Sequence, residues 1–272
     1  MDQVTPLVMM NEPFRLETAP NGVTWLACPP LGTPHGFSTR RGGESEGPFA
    51  ALNLGVSAGD DEATVRRNRA AWATALGMTG PIQGMHQIHG GDVQAVAQRA
   101  QETLYGDAIV SATPGLPIGI YTADCTPILL HDPGTGAVGA VHAGWRGTVA
   151  RVVMNAAQRM VDELGGDPAR LRAAIGPAIG PCCFEVGEEV AAAIAAQGWP
   201  GWERAIVRDA RPKPHVDLFA ANRDQLLAFG LRAENVFVSH ACTSCDADHY
   251  FSWRRDQGRT GRMQAAIMAV AR

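Results

Sequence analysis

Three segments of the sequence place a histidine or a cysteine beside a turn or at the end of an apolar run. They are MHQIHGGD (85–92), YTADCTPILLHD (121–132) and AVHAGWRGTV (140–149). Zinc favours neutral imidazole and thiolate ligands, and a catalytic zinc site uses three protein ligands with one coordination position left open. His89, Cys125 and His142 would supply such a set, so we predict a metal site formed by these side chains.

The same three residues permit two other interpretations. A cysteine at a strand end is commonly a small core residue, and a histidine beside a glycine commonly belongs to a turn. Cys125 could also act as a nucleophile with His142 as its general base. The candidates lie far apart in the sequence, so their spacing alone does not decide among a metal site, a nucleophilic pair and a structural role.

Four charged residues, two inside these segments and two outside them, are further candidates for the functional site. A guanidinium group binds anions such as phosphate in a bidentate way, so Arg40 in the STRRGG loop is our first candidate ligand for a small anionic substrate and Arg146 our second. If Cys125 points into the site from a strand, Asp124 points the other way, which favours a supporting role over acid–base catalysis. Glu185 in CCFEVG either lines the pocket or caps the helix that follows.

The remaining cysteine motifs are the CxxC of Cys242 and Cys245 and the adjacent pair Cys182 and Cys183. In a reducing compartment these residues are thiols or metal ligands rather than disulfides. Four thiolates could form a structural zinc site, but such sites normally draw on two separated CxxC turns. We therefore expect one zinc per chain, with Cys242 and Cys245 dispensable for metal binding.

Composition narrows the class of protein. The 272 residues are 46% hydrophobic and 18% charged, which is typical of a globular chain. The net charge of −4 argues against a protein that binds the nucleic-acid backbone. The apolar run within 1–11 is too short for a signal peptide, and no stretch approaches the roughly 20 apolar residues of a membrane span. We expect a cytoplasmic protein of undetermined oligomeric state that binds neither nucleic acid nor membrane.

Helical and strand patterns alternate along the chain. Apolar spacing and capping residues predict helices over 60–76, 148–164, 187–197, 218–229 and 260–271. Short apolar runs predict strands over 35–38, 108–111, 118–122, 128–131, 137–142, 172–175 and 236–239. Several loops are too short for a parallel crossover, so antiparallel pairing should be common. The pattern predicts an α+β (mixed α/β) fold with a single domain over 1–272.

Five ordered motifs add a resemblance: HQIHG, TADCTPILL, AVHAGWRG, AIGPAIGPCCFEVG and FSWRRDQGRTGRMQA. With the earlier FSTRRGG and LNLG segments, the chain resembles the YfiH-like family, also called the laccase-domain or multicopper polyphenol oxidase family, from about residue 35 onward. The resemblance implies that His89, Cys125 and His142 bind one zinc. It also implies a layered α-β-β fold similar to the catalytic domain of the cytotoxic necrotizing factor toxin, which uses a Cys–His pair.

The same resemblance implies phosphorolysis of adenosine, inosine and methylthioadenosine, together with adenosine deamination, so the partners would be a purine nucleoside and phosphate. Older names in the family imply copper-dependent phenol oxidation, and the role of some members in editing peptidoglycan precursors implies a Cys–His hydrolase. A metal-binding regulatory protein with little turnover is a further alternative. Multicopper oxidation needs clustered histidines, yet none of the eight histidines forms a His-x-His pair. The zinc deaminase signature, His-x-Glu with Pro-Cys-x-x-Cys, is also missing from the sequence.

Overall fold

A computed structural model of the protein describes residues 13–271, so the 1–11 segment weighed above lies outside the described residues. The strands are Arg15–Thr18 (β1), Thr24–Ala27 (β2), His35–Ser38 (β3), Val93–Ala95 (β4), Ala108–Ser111 (β5), Pro117–Thr122 (β6), Thr126–His131 (β7), Val138–Ala143 (β8), Arg172–Ile175 (β9), Ile206–Val207 (β10), His215–Val216 (β11), Val236–Val238 (β12) and Met263–Met268 (β13). The helices are Glu62–Ala75 (α1), Trp145–Val149 (α2), Val152–Leu164 (α3), Glu188–Ala195 (α4) and Leu218–Phe229 (α5). None of these helices is long and apolar enough to cross a membrane.

Two main sheets organise the described chain. The first has the order β1-β2-β3-β13-β6, and all its neighbouring strands are antiparallel. The second has the order β12-β9-β7-β8-β5-β4, with antiparallel pairs in the middle and a parallel pair at each end. Antiparallel pairing therefore predominates, as the short loops predicted. β10 and β11 form a separate two-stranded ribbon.

The sheets pack face to face, and helices cover their outer faces. Ile120 and Ile267 of the first sheet meet Leu129 of the second in one apolar cluster. The opposite face of the second sheet packs against α3 and α5, where Met160 and Leu226 are fully buried. The order is thus helices, six-stranded sheet, five-stranded sheet, with α1 on the far side of the latter. The predicted α+β class is confirmed.

Most predicted elements are present with small changes at their ends. Helix α1 begins after Asp61, whose carboxylate accepts a hydrogen bond from the backbone N–H of Thr64 at 2.7 Å, as expected of an N-cap. The turn that begins at Asp132 joins β7 to β8 as an antiparallel hairpin. The runs 108–111 and 118–122 also form strands, but they lie in different sheets.

Two helix predictions are wrong. The segment 260–271 contains β13, which lies between β3 and β6. Its residues pack between the sheets on one face and near α1 on the other, and periodicity cannot distinguish such a doubly buried strand from a buried helix. The predicted helix 148–164 is divided into α2 and α3 by Arg151, whose φ is 58°. The two pieces pack in different clusters, α2 with α4 and α3 on the six-stranded sheet.

Candidate metal site and adjoining cavity

The three predicted ligands lie at one end of the strands of the six-stranded sheet. Cys125 directly precedes β7, and His142 lies near the end of the antiparallel neighbour β8, opposite Pro127. His89 is four residues before β4, on the far side of β5. Its φ of 59° lies in the left-handed region, so the chain turns sharply there. The fold therefore brings together three candidate ligands that are far apart in the sequence.

The donor atoms of His89, Cys125 and His142 all lie within 4.8 Å of one another. The two imidazole rings are 4.9 Å apart between centroids and nearly perpendicular, at 82°. A Cβ at Gly144 would stand 2.9 Å from the Cys125 sulfur, so a side chain there would collide with the thiol. His142 is buried, Cys125 is half-buried and His89 is exposed. Two imidazoles, one thiol and an accessible face fit a three-ligand zinc site.

Asp107, which the sequence reasoning missed, holds this arrangement in place. Its fully buried carboxylate accepts hydrogen bonds from His142 Nδ1 at 2.8 Å, from His89 N at 3.0 Å and from Gly90 N at 2.6 Å. With Nδ1 donating to Asp107, His142 retains Nε2 as its ligand atom. The Gly106-Asp107 pair just before β5 resembles an ordinary turn in the sequence, and only the pairing of β5 with β8 reveals the role of Asp107.

The charges of the site favour a thiolate. Burial by itself raises the pKa of Cys125, but the neighbouring His142 and His89 bring that pKa down from 9.0 to about 6. Burial by itself lowers the pKa of His142, but the Cys125 sulfur and the Asp107 carboxylate raise that pKa from 6.5 to about 9. These opposite shifts favour a Cys125 thiolate beside a His142 imidazolium. The thiolate is the form that binds metals and also the form that attacks electrophiles.

We predict that Asp107→Asn weakens metal binding by about 10- to 100-fold, as is usual for loss of a carboxylate that orients a ligand histidine. An asparagine cannot accept from His142 and from the backbone N–H groups of His89 and Gly90 at once, because one of its ends is a donor. Competition with a chromogenic chelator measures the affinity. Asp132→Asn is the matched control, since Asp132 is also fully buried and accepts from Gly134 N at 2.6 Å, but in the β7–β8 turn. Equal affinity losses in both variants would contradict the assignment.

A cavity of about 980 Å³ adjoins the three ligands and is lined by them. Its charged lining residues are four arginines and two acids, Glu102 and Asp124. Each arginine stacks on an aromatic ring of the lining: Arg69 on Tyr121 (4.7 Å), Arg146 on Trp145 (4.4 Å), Arg254 on Phe184 (5.4 Å) and Arg262 on Trp253 (4.9 Å). An excess of positive charge beside aromatic rings suits a ligand that combines an anion with a flat heterocycle.

Arg146, the second phosphate candidate, lines this cavity, whereas Arg40, the first candidate, does not. Arg40 donates from Nε to the carbonyl of Ala50 at 2.7 Å and from a terminal nitrogen to that of Ala247 at 3.1 Å. It also stacks on Phe251. These contacts hold its guanidinium against the neighbouring loops. The prediction that Arg40 is the phosphate ligand therefore needs correction.

The two acidic candidates have other partners. Asp124 lines the cavity, but its two oxygens accept from Thr243 Oγ1 at 2.6 Å and from Arg254 N at 2.7 Å. Glu185 is not among the lining residues. Its carboxylate pairs with Lys213 at 3.0 Å, and the N-cap of α4 is Gly187 without a side-chain cap. Neither role that the sequence offered for Glu185 is therefore observed.

A sequence profile described as multi-copper polyphenol oxidoreductase laccase matches residues 34–270. The chain belongs to this YfiH-like laccase-domain family. A Deinococcus radiodurans protein named purine nucleoside phosphorylase is 46% identical over 251 residues, covering 92% of this chain and 94% of that protein. A protein named adenosine deaminase RL5, from an unknown prokaryotic organism, is 36% identical over 238 residues, covering 82% of this chain and 90% of that protein.

Solved structures of family members share the fold. The crystal structure of YlmD from Geobacillus stearothermophilus superposes with a TM-score of 0.86 at 36% sequence identity, over 95% of this chain and all of that one. That of a Bacillus licheniformis protein called YfiH gives 0.86 at 32% identity, over 95% and 99% of the two chains. Within residues 13–271, the possible metal-ligand clusters are His89–Cys125–His142 and a group of four cysteines. Neither has the several histidines that a multicopper centre requires.

Proposed function

We propose that this family member is a zinc-dependent purine nucleoside phosphorylase that also deaminates adenosine. One structural observation carries the proposal: a three-ligand His–Cys–His site opens onto a cavity lined by arginine–aromatic pairs. The names of the related proteins, purine nucleoside phosphorylase and adenosine deaminase, support it. The substrates would be adenosine, inosine and methylthioadenosine, with inorganic phosphate as the second reactant.

In this proposal Arg146 binds the phosphate. The other three arginines of the cavity donate to backbone carbonyls: Arg69 to Leu54, Arg254 to Glu185 and Arg262 to Thr260. Arg146 makes no side-chain hydrogen bond or ion pair with any residue of the described chain, and its side chain is exposed. Its N–H groups are therefore free to bind an anion beside His142.

The reaction joins a phosphate oxygen to the anomeric carbon of the sugar while the bond from that carbon to the purine nitrogen breaks. The electron pair of that bond passes to the purine, which takes up a proton, and the products are the free base and a sugar 1-phosphate. Arg146 would hold the attacking anion in line, and the rings of the cavity, such as Trp253, offer faces on which a base can stack. A zinc ion on the three ligands would supply a Lewis acid at an open coordination position.

We propose a positioning role for Asp124. Both its oxygens hold neighbouring groups, and its φ of 86° shows that the chain turns sharply just before Cys125. Asp124 would thereby set the direction of the thiol and join β7 to the Arg254 segment, rather than transfer a proton to the substrate.

Deamination is the second candidate reaction at the same site. Water would add to the purine ring at the amino-bearing carbon and ammonia would leave, a step for which three-ligand zinc sites are suited. The adenosine deaminase relative favours this reaction. It requires no phosphate, so the two reactions can be measured separately.

We predict that the zinc-loaded full chain releases free base and a sugar 1-phosphate from adenosine, inosine or methylthioadenosine only when phosphate is present. Ammonia release from adenosine should not depend on phosphate. Chromatography and an ammonia assay measure both reactions. Equal release of base without phosphate would make the protein a hydrolase. If copper loading produced phenol oxidation while zinc loading produced no nucleoside turnover, the polyphenol oxidase alternative would replace this proposal.

A further inference from the structure

We infer that the protein has a second metal site, a structural zinc held by the four thiolates of Cys182, Cys183, Cys242 and Cys245. Contrary to the sequence expectation, the structure brings the adjacent pair and the CxxC turn together, with all four sulfurs within 4.8 Å of one another. The Cys245 sulfur lies 3.5 Å from that of Cys182 and 3.4 Å from that of Cys183.

These distances match a tetrahedral metal site. With zinc–sulfur bonds of about 2.3 Å, the ligand sulfurs of a tetrahedron stand about 3.8 Å apart. A disulfide needs only two sulfurs, at about 2.05 Å, and it does not explain why four converge. Four thiolates fill the coordination sphere, so this site would be closed and structural, unlike the open three-ligand site.

The sheet explains why these cysteines meet. β9 and β12 are parallel neighbours, so the loops that follow them leave the sheet at the same edge. The pairing continues past the strands, where Ala178 bridges to Cys242. Gly180 permits the close approach, because a Cβ there would stand 3.2 Å from the Cys182 sulfur. Its N–H donates to the Cys242 sulfur at 3.2 Å, a contact that stabilises a thiolate.

Basic side chains lie next to the cluster. Arg254 donates to the carbonyl of Cys183 at 3.4 Å, and Arg211 donates to the carbonyls of Pro181 at 3.1 Å and Cys182 at 3.5 Å. A zinc ion with four thiolates carries a net charge of −2. The Arg254 guanidinium would offset part of that charge at a surface where Cys182 and Cys245 are exposed, whereas the Arg211 guanidinium already pairs with Asp209.

The site would hold one wall of the cavity in place. The loop after β9 supplies Ile179 and Phe184 to the lining. The loop after β12 supplies Thr243, which binds Asp124, while Arg254 of the lining donates to the carbonyl of Cys183. A metal joining the two loops would therefore fix the wall without touching the substrate.

Metal analysis of the full chain tests this inference. The protein, expressed with zinc supplementation, purified under reducing conditions and dialysed, should contain two zinc equivalents per chain. Cys242→Ser/Cys245→Ser should contain one, and Cys28→Ala should keep two, since Cys28 is a buried thiol outside both clusters. Unchanged zinc content in the double serine variant would overturn the inference.

A second variant keeps the test decisive if the double serine protein does not fold. Cys125→Ala should retain one equivalent of zinc, and replacing that zinc with cobalt(II) should give the intense thiolate-to-metal charge-transfer bands of a four-sulfur tetrahedral site. Titration of the zinc-free, denatured wild-type chain without reductant should find all six thiols. A Cys125→Ala protein without metal, or a wild-type chain with two thiols missing because of a disulfide, would contradict the second site.

Discussion

Replacing Cys125 with alanine should remove one equivalent of zinc per chain and nearly all nucleoside cleavage, while the fold persists. Cys125 belongs to none of the buried apolar clusters of the described chain, so its loss creates no core cavity. Two imidazoles alone would bind zinc weakly. Loss of a Lewis acid costs roughly 3 kcal/mol or more of transition-state stabilisation, so the rate should fall by about a hundredfold or more.

Zinc content and phosphate-dependent base release should be measured on the same preparation, with circular dichroism to verify folding. Cys28→Ala again serves as the matched thiol control and should keep both the metal and the activity. The nucleophile interpretation makes a different prediction. If Cys125 were the nucleophile and not a ligand, Cys125→Ala would lose activity but keep its zinc. Unchanged zinc content in Cys125→Ala would therefore remove this residue from the metal site.

Arg146→Ala should raise the KM for phosphate roughly tenfold or more, because a hydrogen bond to a charged group contributes about 1.5–3 kcal/mol. Its zinc content should stay unchanged, since Arg146 is not a ligand. The side chain is exposed and donates no hydrogen bond within residues 13–271, so stability should change little. Initial rates of base release at varied phosphate concentration measure the effect. Phosphate-independent deamination of adenosine should be much less affected.

Arg40→Ala is the matched arginine control. Its side chain binds two backbone carbonyls and stacks on Phe251, so the variant should melt at a lower temperature. It should keep its phosphate KM, because Arg40 does not line the cavity. The opposite result would be a raised phosphate KM in Arg40→Ala and an unchanged phosphate KM in Arg146→Ala. That result would assign phosphate binding to Arg40.

Much of this picture could be predicted from the sequence because ligand chemistry is local. Imidazole and thiol groups beside turns or at strand ends point to His89, Cys125 and His142 as candidate ligands, and the resemblance groups them around one zinc. Their approach depends on strand order, which residue types do not encode. The same holds for Asp107, whose role follows from the pairing of β5 with β8.

The misjudged features share a physical cause, since each depends on contacts between distant segments. Both faces of β13 are buried, so its apolar pattern has no strand period and fits a helix equally well. The sequence disfavours a shared metal for the four cysteines because it holds one CxxC turn and its other two candidate cysteines are adjacent. The parallel pairing of β9 with β12 brings them to one edge. The glycine-flanked loop favours Arg40 as a phosphate ligand, but the carbonyls of Ala50 and Ala247 hold its side chain away from the cavity.

Crystals of the zinc-loaded protein, measured on both sides of the zinc absorption edge, test the central claim most directly. The account predicts an anomalous peak among His89, Cys125 and His142, at about 2.0–2.1 Å from the ring nitrogens and about 2.3 Å from the sulfur. A second peak should lie among the four cysteines. No peak among the first three residues, with the Cys125 sulfur hydrogen-bonded directly to His142 instead, would contradict the metal site and leave a Cys–His pair in its place.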